Sequence, residues 1–271
     1  MPVLRFSSLG SGSSGNATLI EAWPAGLDPA HSPTRLLVDC GLGPRRLVQA
    51  LAARGCSPPD IDAVFVTHEH SDHVGGVLPM QRRYGTPVWA SAGTWSAATS
   101  RQSAAPMAGL ARDGEPIRIG DLTLLPFTVP HDAAEPLQLV VTDGRLRVGV
   151  LTDLGEPTDA VARALQGCDA LVLECNHDRR MLAEGPYPAW LKRRIGGHRG
   201  HLSNDQSAAV LDACRHDALR HVVAAHLSQQ NNEPSLALTA LRDSLGKGLP
   251  FGVPDLHVAD ASSGCGWIQL A

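Results

Sequence analysis

Thr67-His68-Glu69-His70-Ser71-Asp72-His73 sets three imidazoles and the Asp72 carboxylate within six residues, directly after the apolar run Ile61-Asp62-Ala63-Val64-Phe65-Val66. Imidazole and carboxylate suit zinc, manganese and iron(II), and no nearby cysteine shifts the preference toward softer ligation. On a chain leaving a strand, His68 and His70 project to one side by the two-residue alternation, and Asp72 and His73 fall one turn further on as a helix begins. Such a stretch can feed two ions from opposite directions. A histidine-rich surface loop, or chance clustering among 12 histidines, is the plainer explanation. It accounts poorly for an aspartate between the second and third histidines at the end of a buried strand, so a two-ion metal site is the expectation.

Around this stretch, short β-type runs alternate with helical ones. Strands are predicted at Val3–Leu9, Ala17–Ala22, Arg35–Asp39, Ile61–Thr67, Val88–Ala90, Leu122–Thr128, Gln138–Val141, Arg147–Leu151, Ala170–Glu174, His221–Ala225 and His257–Ala261. Helices are predicted at Pro44–Arg54, Val77–Tyr84, Thr158–Leu165, Asn204–Arg215 and Pro234–Gly246. Strand pairs divided between two halves, with helices outside, predict an α+β fold in four layers, α/β/β/α, rather than one doubly wound sheet. Trp23–Thr34 and Ala97–Glu115, rich in small and polar residues, are expected as exposed loops. With 271 residues, 43% of them hydrophobic, residues 1–271 are expected to form one domain around a large core.

Met1-Pro2-Val3-Leu4-Arg5-Phe6 has no charged-then-apolar leader pattern, and no apolar span is long enough to cross a bilayer. A cytoplasmic protein without membrane contact is expected. The six cysteines form no CxxC pair and fit reduced thiols. Cys40 and Cys175 lie beside possible site residues, but are expected as buried small hydrophobes. A net charge of −4 argues against a uniformly basic surface while permitting a local basic patch.

Gly10-Ser11-Gly12-Ser13-Ser14-Gly15 matches GxGxxG after a strand, and Asp39 follows at about the distance of a ribose-binding acid. A dinucleotide site needs a helix opening at the third glycine, whereas Asn16-Ala17-Thr18-Leu19-Ile20-Glu21 leans toward strand. A phosphate loop of the Walker type needs lysine where Asn16 stands. The segment therefore reads as a tight turn between strands, with a lesser expectation that its amides face an anion. Further hard or borderline ligands stand where strands end: His131 after Leu122–Thr128, Asp153 after Arg147–Leu151, His226 after His221–Ala225. Singly each is more often structural; with the His68–His73 cluster they complete seven ligands, Asp153 bridging.

The HxHxDH stretch, together with His131, Asp153 and His226, resembles the metallo-β-lactamase superfamily, and Leu36-Leu37-Val38-Asp39-Cys40-Gly41 resembles its first motif. Gly10–Asn16, Pro130-His131-Asp132-Ala133, Glu174-Cys175-Asn176-His177-Asp178, Gly200-His201-Leu202-Ser203-Asn204 and Ala225-His226-Leu227-Ser228 resemble its YycJ/WalJ (VicX) branch of exonuclease-like hydrolases. The resemblance implies a four-layer αββα sandwich, with His68, His70 and His131 on one divalent ion and Asp72, His73 and His226 on the other. Asp153 would lie between the ions, and Asp39 would support the site from outside the ligand set.

Two ions roughly 3.5–4 Å apart activate a bridging water and stabilise charge on a phosphoryl group, so the expected attacking species is a metal-bound hydroxide, which Asp72 also helps to orient. His201 is the expected proton donor to the leaving oxygen, fixed at a helix entrance by a capping box, Ser203-Asn204-Asp205-Gln206. A histidine in a similar place assists the related tRNA 3′-processing nucleases. His177 has two readings, a catalytic role or a hydrogen-bonded loop beside the site. The basic run Lys192-Arg193-Arg194-Ile195-Gly196-Gly197-His198-Arg199-Gly200 offers Arg194, His198 and Arg199 to a phosphate backbone, the alternative being a solvated helix end. Trp95, Tyr187 and Trp190 could each stack on one base. His31, His216, His221 and His257 have no ligand-like company in sequence and are expected as surface or structural residues.

The leading expectation is a dinuclear metal-dependent phosphodiesterase that cuts nucleic acid, as a 5′-to-3′ exonuclease on DNA. Hydrolysis of a small cyclic phosphodiester, thioester or lactam is the second, and a non-catalytic regulatory scaffold the third. Mn²⁺ is the working choice of ion; Zn²⁺ suits the same ligands, as does Fe²⁺. Oligomeric state is left open.

Overall fold

The computed structural model describes residues 3–23, 32–100, 104, 106–246 and 253–270. The first sheet begins with β1 (Val3–Gly10) and β2 (Ala17–Trp23), an antiparallel pair bent by an irregularity between Ser8 and Gly10. β3 (Thr34–Val38) adds antiparallel to β2, and β4 (Ala63–Phe65), β5 (Val88–Ala90) and β6 (Gly109–Leu110) follow in parallel. The second sheet runs from β7 (Ile117–Ile119), β8 (Leu122–Thr128) and β9 (Leu137–Thr142) to β10 (Arg147–Leu151) by antiparallel pairing. β11 (Ala170–Glu174), β12 (His221–Ala225) and β13 (Asp255–Val258) continue it in parallel. β14 (Ile268–Leu270) returns to pair with β1, giving seven strands in each sheet among the described residues.

The strands read as near-continuous apolar runs because both faces of each sheet are covered. Phe6, Ile20, Leu36 and Phe65 of the first sheet meet Leu124, Leu139, Val148 and Val172 of the second in the central core. On the outer face of the first sheet, Leu19, Leu37 and Val64 pack against Leu47 and Leu51 of α1 (Pro44–Ala52) and Met80 of α3 (Val77–Tyr84). On the other side, Leu171, Leu173 and Val222 pack against α5 (Asp159–Leu165), α8 (Asn204–Cys214) and α9 (Pro234–Leu245). The layers are α/β/β/α, as the alternation of elements predicts.

Local departures have physical causes. The predicted strand Ile61–Thr67 pairs only over Ala63–Phe65, because the Thr67 N–H turns to the Asp39 carboxylate (2.8 Å). The predicted strand His257–Ala261 starts earlier and stops at Val258, since the Asp260 carboxylate collects the N–H groups of Ser262 and Ser263 into a turn. Ala97–Glu115 is not all loop. It holds the end of α4 (Ala92–Thr99), capped by Ser91, and all of β6, signals that a run of small residues without an apolar stripe hides. Of the other loop prediction, residues 24–31, including His31, lie outside the described residues. α2 (Ser71–Val74), α6 (Arg179–Glu184) and α7 (Ala189–Ile195) complete the helices named here, α2 being the turn foreseen at Asp72 and His73.

Candidate metal centre

The candidate residues gather where strands end. Asp39 follows β3, Thr67–His73 follow β4, His131 follows β8, Asp153 follows β10, Glu174 closes β11 and His226 follows β12. Among the described residues, the non-glycine positions with left-handed backbone are Asp39 (φ 60°), Asp153 (φ 65°) and His226 (φ 56°). Each turns sharply off its strand, a conformation that costs free energy and is held here by surrounding contacts. His226, for instance, donates its backbone N–H to Ser11 Oγ at 2.6 Å. That serine lies in the glycine-rich turn joining β1 to β2, which is the predicted tight turn and not the start of a helix.

Two donor sets converge. His68, His70 and His131 form one, Asp72, His73 and His226 the other, with Asp153 reaching the His73 side at 2.9 Å and the His131 side at 3.9 Å. One nitrogen of each of three rings is committed outward: His73 Nδ1 donates to Asp39 (2.7 Å), His131 Nδ1 to the Gly200 carbonyl (3.0 Å) and His226 Nδ1 to Glu174 (3.0 Å). These bonds fix the tautomers and leave the Nε2 lone pairs facing inward. His68 Nε2 and His226 Nε2 are buried without any hydrogen-bond partner. A buried polar atom left so costs roughly 1–3 kcal/mol, which makes its arrangement favourable only toward a ligand. Buried inward lone pairs of imidazole and carboxylate fit divalent metal ions.

The electrostatics point the same way. Burial pushes His68 well below the usual imidazole range, with His73 adding to it. Burial also opposes charge on His73 and His226, yet Asp153 with Asp39 holds His73 well above that range, and Asp153, Asp72 and Glu174 raise His226 to about 10. The pocket thus has a strong affinity for positive charge, and a proton on either ring takes the place of a cation.

Glu174 is the residue that sequence reasoning missed. It is fully buried, and its carboxylate accepts four hydrogen bonds, from His201 Nδ1 (2.8 Å), His226 Nδ1 (3.0 Å), Leu154 N–H (2.9 Å) and Leu202 N–H (3.1 Å). Burial works against its charge, but His201 and these hydrogen bonds lower it to about 2. His201 is raised in turn, Glu174 outweighing the cost of burial. The strand-end glutamate was in plain view, but its partners lie 27 and 52 residues away. Asn16 was also missed; its amide lies 3.3 Å from Asp72 Oδ2 and 3.1 Å from His73 Nε2.

A cleft of about 380 Å³ opens over the donor sets, lined among others by Ser13, Asp132, Tyr187, Arg194 and His201. Arg194 lies 2.6 Å from Asp132. The structure does not bring His177, His198 and Arg199 into this cleft. His177 and His198 line a neighbouring cavity behind α7, where His198 pairs with Glu156 at 2.7 Å and burial pushes His177 down to about 4. Arg199 is exposed and meets the site through its backbone carbonyl, which accepts from Asp132 N–H. Trp95 packs against the core under α1 and α3, while Trp190 is 61% exposed on α7. A cavity of about 670 Å³ between α1 and α3 contains none of the donor residues.

Residues 34–227 match the family model described as beta-lactamase superfamily domain. The chain belongs to the beta-lactamase superfamily. Among its superfamily relatives, exodeoxyribonuclease WalJ of Streptococcus pneumoniae is 33% identical over 261 residues, 93% of each chain. Exodeoxyribonuclease YycJ of Bacillus anthracis is 34% identical over 236 residues, 86% of each chain. The metallo-β-lactamase fold protein YhfI of Bacillus subtilis superposes with a TM-score of 0.72 over 99% of this chain and 100% of its own, at 16% identity. The chain is a metal-dependent hydrolase with the metallo-β-lactamase fold. Among the described residues, no helix is long and apolar enough to cross a membrane.

Proposed function

We propose that this chain is a dinuclear phosphodiesterase that degrades nucleic acid, as a 5′-to-3′ exonuclease on DNA, acting in the cytoplasm as a single domain. The observation that carries the proposal is His201, tied through Nδ1 to buried Glu174, which raises its pKa, in the wall of the same cleft as both donor sets. The two relatives named exodeoxyribonuclease support DNA as the polymer.

His68, His70 and His131 would hold one ion and Asp72, His73 and His226 the other, with Asp153 shared. When bound, two such ions supply Lewis-acid activation of water and neutralise charge on a phosphoryl group. Mn²⁺ or Zn²⁺ is the proposed occupant, a choice the ligand chemistry leaves to availability. Asp39 keeps His73 Nδ1 protonated and its Nε2 aimed inward. Asp72, held beside Asn16, sets the direction of attack. His201 carries a proton at Nε2 and delivers it to the leaving sugar oxygen, which converts an alkoxide into a neutral alcohol. Glu174 keeps His201 charged without itself giving up its negative charge. Arg194 exchanges its Asp132 partner for a phosphate, and Tyr187 and Trp190 offer faces for bases. His177, neutral at ordinary pH and behind α7, packs beside this machinery.

The test is the Mn²⁺- or Zn²⁺-loaded protein with single- and double-stranded DNA and RNA labelled at either end, a thioester, and a cyclic nucleotide, alongside His201→Ala. Stepwise release of 5′-terminal nucleotides from DNA, lost in the variant, is expected. Turnover of the thioester or cyclic nucleotide without polymer cleavage would overturn the proposal.

A further inference from the structure

At the opposite end of the second sheet, three more ligand-type side chains meet. His221 opens β12, and Asp255 and His257 stand on the neighbouring edge strand β13, in a parallel register that pairs His221 with Asp255 and Val223 with His257. Val223 belongs to the central core, so His221, two residues before it, shares the inter-sheet face. Asp255 and His257 take that face too, because Leu256 and Val258 pack on the helix side. His226 stands five steps of chain beyond His221, roughly 16 Å at the usual strand rise, so this trio is distinct from the candidate metal centre.

The spacing of the donor atoms is the informative quantity. His221 Nδ1 lies 3.4 Å from His257 Nε2 and 3.6 Å from Asp255 Oδ2, and one donor atom from each residue fits within 4.8 Å of the others. Imidazole–carboxylate pairs that are hydrogen-bonded in this protein close to 2.7–3.0 Å, as in His73–Asp39, His198–Glu156, His201–Glu174 and His226–Glu174. Several donor pairs of the candidate metal centre stay further apart, His70 and His131 at 3.4 Å, His226 and Asp72 at 3.5 Å, His73 and Asp72 at 3.6 Å, although His73 and Asp153 close to 2.9 Å. The distal trio has the second kind of spacing. A tetrahedral ion with ligand arms of 2.0–2.1 Å separates its donors by about 3.3–3.4 Å, close to the 3.4 Å and 3.6 Å at which His221 Nδ1 faces its two neighbours.

We propose that His221, Asp255 and His257 form a separate site for one zinc-class transition-metal ion, clamping the edge strand β13 to β12. Two imidazoles and one carboxylate select borderline ions such as Zn²⁺ over Mg²⁺ or Ca²⁺, and water completes the tetrahedron. The expectation that these histidines are merely structural is thereby revised. In sequence His221 and His257 stand 36 positions apart, and the parallel pairing of β12 and β13 brings them together.

The experiment uses the untagged full chain, stripped of metal, equilibrated with micromolar Zn²⁺, passed through gel filtration and analysed for zinc per chain. His257→Ala and Asp255→Asn are each expected to bind one equivalent fewer than the parent, with hydrolase activity unchanged. Zinc should also slow amide exchange across β13 in the parent and not in the variants. Equal zinc content in parent and both variants overturns the proposal, whatever the total. Loss of an equivalent together with activity also overturns it, since the ion would then belong to the catalytic set. Because the readout is a difference between chains, it does not depend on how many ions the catalytic cleft holds.

Discussion

Two clusters of buried charge in this protein are built in opposite ways. Glu21, fully buried on β2, sits in cross-strand register between Arg5 of β1 and Arg35 of β3, with both guanidinium groups 2.6 Å from its oxygens. Its charge is answered within the chain. In the metal centre, the outward nitrogens of His73, His131 and His226 are answered by Asp39, Gly200 and Glu174, while the buried inward nitrogens of His68 and His226 have no partner. Closed polar clusters hold sheets together; clusters left open on one side are built for something the chain does not itself supply.

The largest effect should come from the open cluster. His201→Ala removes the proton donor and is expected to lower turnover by about 10²–10⁴-fold while leaving bound metal unchanged. A variant that cleaves normally would exclude His201 from the chemistry. The closed cluster should respond in stability alone. Glu21→Ala strands two arginines and is expected to cost about 3–5 kcal/mol in denaturant unfolding, with metal content and turnover per folded molecule retained. A loss of metal in that variant would mean that the two clusters are not separable.

Glu174→Gln tests the link between scaffold and chemistry. The carboxylate faces four donors, two imidazoles on one oxygen and two backbone N–H groups on the other. A glutamine must turn its own NH₂ toward one of these pairs. The expected result is a roughly 10–100-fold loss of activity with weaker metal retention, the size typical of groups that orient ligands. Wild-type behaviour would show that His201 and His226 hold their positions without it.

Why Glu174 escaped sequence reasoning while His68–His73 did not is a matter of where the partners lie. The HxHxDH stretch carries its meaning locally, because strand alternation and one helical turn already aim its side chains. Ser203 and Gln206 were legible for the same reason: the capping box closes within four residues, and both of its bonds are present. His131, Asp153 and His226 were legible one level up, as ligands at the ends of strands recognisable by their apolar runs. Glu174 ends the run Ala170-Leu171-Val172-Leu173 like any polar strand terminus. Its role exists only after β10, β11 and β12 align in parallel. The same holds for β14, three residues identifiable only by the edge of β1 that they cover, and for His177 and His198, which helix α7 screens from the cleft.

The smallest effects are expected from residues that touch the centre in sequence but not in space. Cys40 follows Asp39 and Cys175 follows Glu174, yet the thiols pack away from the donor sets, Cys40 into the core under α1 and α3, Cys175 into the core under α8 and α9. Burial pushes both thiols up to about 12, with Asp39 adding to the shift at Cys40. They are neutral at any working pH and are thus poor ligands and poor nucleophiles. Cys40→Ala and Cys175→Ala should cost ~1 kcal/mol each through lost packing and leave metal content and turnover unchanged. Iodoacetamide should label neither in the folded protein. Alkylation of Cys40 accompanied by release of metal would show that the thiol can reach the ligand side, and that the division between the inward carboxylate and its outward neighbour is softer than this packing implies.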